Sequence, residues 1–104
     1  MKNKIKVLVI DENGNMSIEF LKNSLECFQQ IVDGYIECLE LYNQNAVILC
    51  DEEGYLKNKN ISKYLVLNGH LLGIVGTFIL AGLNNNEFCS LTDKQIKHYY
   101  TLLK

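Results

Sequence analysis

A chain of 104 residues, 48% hydrophobic and 21% charged, has room for one modest core, so a single domain over residues 1–104 is expected. Ten basic against twelve acidic residues leave a formal charge of -2. That balance argues against a nucleic-acid-binding module, because phosphate recognition rests on a cationic excess.

Lys4 to Ile10 predicts a strand rich in β-branched residues, with Ile5, Val7 and Val9 alternating against Lys4, Lys6 and Leu8. Asp11 to Asn15 reads as a turn around an Asn-Gly pair, and Met16, Ile18 and Phe20 share one face of a return strand, giving an opening β-hairpin. Asn23 and Glu26 have capping-box spacing, and Leu25, Phe28, Ile31 and Val32 then repeat at helical intervals until Gly34 ends the helix. Tyr35 to Tyr42 and the apolar run Ala46 to Cys50 predict a second hairpin that brings Cys38 near Cys50, with the second strand central in the sheet. Ile61, Tyr64 and Leu65 suggest a short helix over 60–67 ending at Asn68-Gly69. Ile74 to Leu83 predicts one strand, with Gly76 and Gly82 as bulges or points of close approach. Glu87 to Ser90 reads as a short extended piece. Thr92 and Gln95 form a second capping-box pair, with Leu91 and Ile96 as its staple, and Ile96, Tyr99, Tyr100 and Leu103 line a C-terminal helix.

These elements imply an α+β fold: an antiparallel sheet of about five strands, arranged hairpin-helix-hairpin-helix-strand-helix, with helices mainly on one face. The opening apolar run is too short for a secretory signal, and the stretch Leu71 to Leu83 is too short to cross a bilayer. A cytoplasmic protein with free thiols and no membrane association is therefore expected.

Chemistry is sparse. Cys27, Cys38, Cys50 and Cys89 contain no CxxC pair, so no metal site or cofactor is expected. Asp51, Glu52 and Glu53 make a dense acidic turn, which reads either as solvated charge or as a protein-contact surface. His70 and His98 sit on separate elements and suggest no catalytic residues. Gly73 to Thr77 lacks the Lys-Ser/Thr or GxGxxG context of a phosphate loop. Six tyrosines are many for this length, and such rings stack on bases or anchor interfaces. Lys2, Lys4 and Lys6 form one basic cluster and Lys57, Lys59 and Lys63 another, both read as solvated lysine.

The segments LKNSLECFQQIVDGYIECL, VILCDEEGYL, IVGTFILAG and FCSLTDKQIKHYYTLL, with the strand KVLVI, resemble the family known as domain of unknown function 3846. The resemblance covers most of the chain and implies a small protein of phages and mobile elements with no assigned reaction. The family tends to place Asn-Arg after the acidic turn. Here Ile61 follows Asn60, so an anion-binding role would fall to Lys59 or Lys63. The expected function is non-enzymatic sequestration of a nucleotide-type immune signal, in a bacterial host cell and by a homodimer or higher oligomer. Tyr35 or Phe78 would stack on a base, Asn60, Thr77 and Ser90 would hold polar groups, and backbone near Gly34 or Gly76 would approach phosphate. The alternative is a protein-binding inhibitor of a host defence or restriction enzyme, acting through Asp51, Glu52, Glu53 and the tyrosines.

Overall fold

The computed structural model describes residues 4–104, so Lys2 of the first basic cluster lies outside the described residues. The domain is α+β and antiparallel. Strands β1 (Lys4–Ile10) and β2 (Met16–Lys22) form the opening hairpin, followed by helix α1 (Leu25–Val32), strands β3 (Ile36–Leu41) and β4 (Ala46–Asp51), and a 3-10 turn over Gly54–Lys57. Strands β5 (Ile61–Leu67) and β6 (His70–Val75) make a separate two-stranded arm. Strands β7 (Phe78–Asn84) and β8 (Glu87–Cys89) and helix α2 (Asp93–Leu102) complete the chain. The main sheet runs β2-β1-β7-β4-β3, with β8 pairing β7.

Two expectations about the layers are corrected: among the described residues, eight strands form a six-stranded sheet and a separate two-stranded one rather than a single sheet of about five, and the helices do not share one face. The helices lie on opposite faces of the sheet, because β4 and β7 are apolar on both sides and each face needs cover. On one face Phe28 and Val32 of α1 pack on Val7, Val47, Leu49, Ile79 and Ala81, with the Phe28 and Phe88 rings edge to face at 5.8 Å. On the other, Ile96 and Tyr99 of α2 and Leu103 at its C-cap join Leu67 and Ile74 of the arm over Leu8, Ile10, Ile48 and Leu80.

Residues 61–67 form a strand, not a helix. Lys63, Leu65 and Leu67 alternate with Tyr64 and Val66, and Asn68 (φ 51°) and Gly69 (φ 88°) both take positive φ, the turn that closes a two-residue hairpin. The apolar run from Ile74 is likewise broken in two at Gly76 (φ 79°), where an added Cβ would lie 2.9 Å from the Lys59 side chain. Gly82 is a close approach: its missing Cβ leaves room for the Ser90 carbonyl.

The helix starts follow local chemistry. Ser24, one residue later than expected, accepts from the Cys27 N–H and begins α1, while the Asn23 side chain donates to the Phe88 carbonyl. Thr92 and Gln95 form a full capping box, and the Gln95 amide also donates to the Gln44 and Asn45 carbonyls, tying α2 to the β3–β4 turn. Cys50 opposes Glu37 and Cys38 opposes Leu49, so the two thiols leave opposite faces, and all four cysteines are free. No helix among the described residues is long and apolar enough to cross a membrane.

Candidate functional site

The densest polar construction grows from the end of β4. Asp51 closes that strand with its side chain fully buried, although a lone carboxylate there would be costly. It is compensated from three directions. Lys59 Nζ lies 2.9 Å and Lys57 Nζ 3.0 Å from Oδ2, and the Glu53 N–H donates to Oδ1 at 2.9 Å. Burial alone would raise the Asp51 carboxyl. The hydrogen bonds from Lys59, the Glu53 amide and Lys57 outweigh it and hold the group below its ordinary 3.8.

The same lysines finish α1. Lys59 Nζ donates to the Val32 and Asp33 carbonyls and Lys57 Nζ to that of Asp33, so carbonyls left open by the helix end meet cations. Asp33, not Gly34, takes the left-handed conformation at the helix end (φ 60°). Gly34 is required for a different reason. A Cβ there would fall 2.4 Å from Asp51 Oδ1, so the carboxylate occupies the space a side chain would fill.

This buried node holds up an exposed surface. The Glu52 N–H donates to the Tyr35 carbonyl at 2.9 Å, bringing the acidic turn beside the start of β3. Tyr35, Tyr55 and Leu56 are 68%, 69% and 80% exposed, and Glu37, Glu52 and Glu53 are exposed as well. The Tyr55 hydroxyl crosses to the arm and donates to the Gly73 carbonyl. Beneath it lies a hollow of about 240 Å³ lined by Glu37, Cys50, Glu52, Tyr55, Leu72 and Gly73. Burial, with Glu37 adding to it, pushes the Cys50 thiol up to about 12, so it stays protonated and unreactive there. A shallower hollow is bordered by Gln29, Gly34, Tyr35, Glu53 and Lys57.

The residues expected to bind a ligand are scattered. Tyr35 is exposed at the acidic surface, but Phe78 is wholly buried in the core beneath α2 and the arm, with no ring face open for stacking. Asn60, Gly76 and Thr77 cluster where the arm meets β7. There the Asn60 carbonyl accepts from the Gly76 N–H at 2.8 Å, so that amide already has its partner. Ser90 lies at the other end of β1, where its Oγ accepts from the Lys6 N–H, whereas Phe78 pairs Ile10. Of the acidic trio, Asp51 is buried and paired, while Glu52 and Glu53 reach solvent. Lys59 is engaged by Asp51 and the end of α1, leaving Lys63 as the half-buried lysine on the arm.

Lys57 and Lys59, expected as solvated lysines, are instead paired with the buried Asp51, and Glu37 drew no sequence-based expectation. The proximity of Lys57 and Lys59 to three acids in sequence was the available signal. A second groove of about 310 Å³ runs between the arm and α2, lined by Leu41, Tyr64, Val66, Leu71 and Leu102. Its polar groups are mutually satisfied, since Tyr99 donates to Gln44 Oε1 at 2.6 Å. Among the described residues, no three His, Cys, Asp or Glu side chains converge in a geometry that would hold a metal ion.

No curated protein and no solved structure matches the chain. A family described as Domain of unknown function (DUF3846) matches residues 5–104, nearly the whole length, and the chain belongs to that family.

Proposed function

We propose that this protein is a non-enzymatic binding module that holds a protein partner against its acidic tyrosine surface. The observation that supports the reading is that Glu37, Glu52 and Tyr55 line one hollow and Tyr35 and Glu53 border another, both beside the turn held by the buried Asp51, with Tyr35 and Tyr55 strongly exposed. Tyrosine supplies large contact area at little entropic cost, and a fixed acidic rim steers a basic partner surface and sets its register. The partner class we propose is a host defence or restriction enzyme with a basic face, in keeping with the phage and mobile-element setting that the family resemblance implies.

Nucleotide sequestration is the second reading, and Tyr35 carries it: its open ring borders the hollow shared with Gln29 and Lys57. Two experiments separate the readings. Immobilised protein is expected to retain a specific bacterial protein that is lost when Glu52→Lys and Glu53→Lys are combined. Melting in the presence of cyclic di- and trinucleotides and ADP-ribose derivatives is expected to show no shift. A stabilising nucleotide recovered unaltered after denaturation, with its effect removed by Tyr35→Ala, would overturn the protein-partner reading in favour of sequestration.

A further inference from the structure

The main sheet ends in two edge strands, and they are treated differently. At β3 the outward backbone groups are taken: the Tyr42 N–H donates to Asn68 Oδ1 at 3.0 Å, and Asn68 Nδ2 donates to the Glu40 carbonyl at 2.9 Å. The arm's turn thus closes that edge with a side-chain amide standing in for a neighbouring strand. Charged Glu37 and Glu40 guard the remainder.

Strand β2 is less protected: the Ser24 N–H takes the Lys22 carbonyl at its end, and Glu19 and Lys22 are its charged residues, but no side-chain amide lies along it among the described residues. All seven of its residues pair β1 without a bulge, the chain contains no proline, and among the described residues no strand lies beyond it. Met16, Ile18 and Phe20 share the face covered elsewhere by α2, and Ile18 and Phe20 are 49% and 62% exposed. A long, regular edge with apolar side chains is a template for another strand.

We propose that β2 is the edge along which two copies of this chain pair antiparallel, about a two-fold axis at Ile18. Self-complementarity identifies the occupant. With the axis there, Ile18 meets Ile18, each Met16 meets the other copy's Phe20, and each Ser17 meets Glu19. One face becomes a continuous apolar ladder. An axis at Glu19 would set two carboxylates against each other. An axis at Phe20 would set Lys22 against Ile18.

Charge supports the same register. Lys4 and Lys22 are paired at one end of the β1–β2 hairpin, while Asp11 and Glu12 occupy the turn at the other. Antiparallel pairing at Ile18 places Lys22 of each copy opposite Gly14 of its mate, where the two carboxylates of Asp11 and Glu12 outnumber the one ammonium of Lys63 that lies against Gly14, so Lys22 meets a net acidic corner twice across the axis. The hollow between β2 and α2, lined by Ile18, Ile96, Lys97 and Tyr100, adjoins the ladder and leaves apolar surface for the pair to cover.

The test is sedimentation equilibrium of the full chain from about 1 µM to about 1 mM, a range that resolves weak and strong pairing alike. A reversible dimer is expected. Ile18→Lys is expected to weaken it at least tenfold with unchanged circular dichroism, since Ile18 is half-exposed and its loss spares the core. Lys22→Glu and Glu12→Lys are each expected to weaken it, and the two together to restore it. A chain monomeric at every concentration, or a dimer indifferent to Ile18→Lys, would overturn the proposal. So would single charge reversals that the double variant fails to rescue.

Discussion

Asp51 shows how one side chain can organise both stability and surface. Its carboxylate is buried, paired with two lysines and held against a glycine, so removing its charge leaves the half-buried Lys59 with only the Val32 and Asp33 carbonyls and the more distant Asp33 carboxylate at 3.7 Å. Asp51→Asn is expected to lose about 3 kcal/mol at neutral pH by urea unfolding, the usual cost of breaking a buried pair. The pH dependence follows from the lowered carboxyl. The stabilisation is complete above the unfolded value of 3.8 and is lost as pH falls through the lower folded value, so wild type loses stability in acid more steeply than Asp51→Asn. Gly34→Ala is expected to destabilise by about 1–3 kcal/mol through overpacking against that carboxylate. In an Asp51→Ala background most of the loss should vanish, because the clashing atoms are gone, and a double-mutant cycle reads the coupling directly. The sequence announced Gly34 as a helix stop, and the helix does end there. The reason for glycine was invisible, because Asp51 lies seventeen positions away and only the fold brings it under Gly34.

At the scale of elements, legibility followed the strength of local signals. The opening hairpin, α1, the pair β3–β4 and the capping box of α2 were readable because their turn and cap residues sit within a few positions of one another. The arm is a hairpin and not the expected helix: Ile61, Tyr64 and Leu65 fit a helical spacing by coincidence, and Asn68-Gly69 is a stronger signal than that spacing. Asn-Gly between two apolar runs specifies a hairpin turn, and the arm uses it. Asn68 then has a second task, closing the edge of β3. Asn68→Ala is expected to cost about 1–2 kcal/mol for the two lost hydrogen bonds and the unfavourable positive φ. It should also speed hydrogen exchange at the Tyr42 amide while leaving the amides of β1 untouched. Unchanged exchange at Tyr42 would show that the arm does not protect that edge.

At the scale of the whole molecule, the apolar run Ala46 to Cys50 marks a strand buried on both sides, which is at odds with helices on one face only. A strand buried on both faces needs layers on both, and α1 and α2 supply them from opposite sides. That arrangement places Cys50 under the arm and Cys38 at the surface. Native protein treated with iodoacetamide at mild alkaline pH is therefore expected to leave Cys50 unmodified until it unfolds, since its thiol sits near 12. Modification of Cys50 at the rate of an exposed thiol would mean that the arm opens freely. The candidate site was legible in part: the acidic turn and the tyrosines stood out, but their assembly depended on long-range contacts. Glu37, Glu52 and Tyr55 come together around one hollow only once β3 and the 3-10 turn flank the Asp51 node.

The most direct measurement of the central claim is the affinity of a captured, purified partner protein for wild type, for Glu52→Lys combined with Glu53→Lys, and for Glu26→Lys on the exposed surface of α1. If the acidic tyrosine surface is the binding site, the double reversal weakens binding at least tenfold and removes most of its salt dependence, while Glu26→Lys binds as wild type does. Equal weakening by Glu26→Lys, or full affinity in the double variant, would contradict the account.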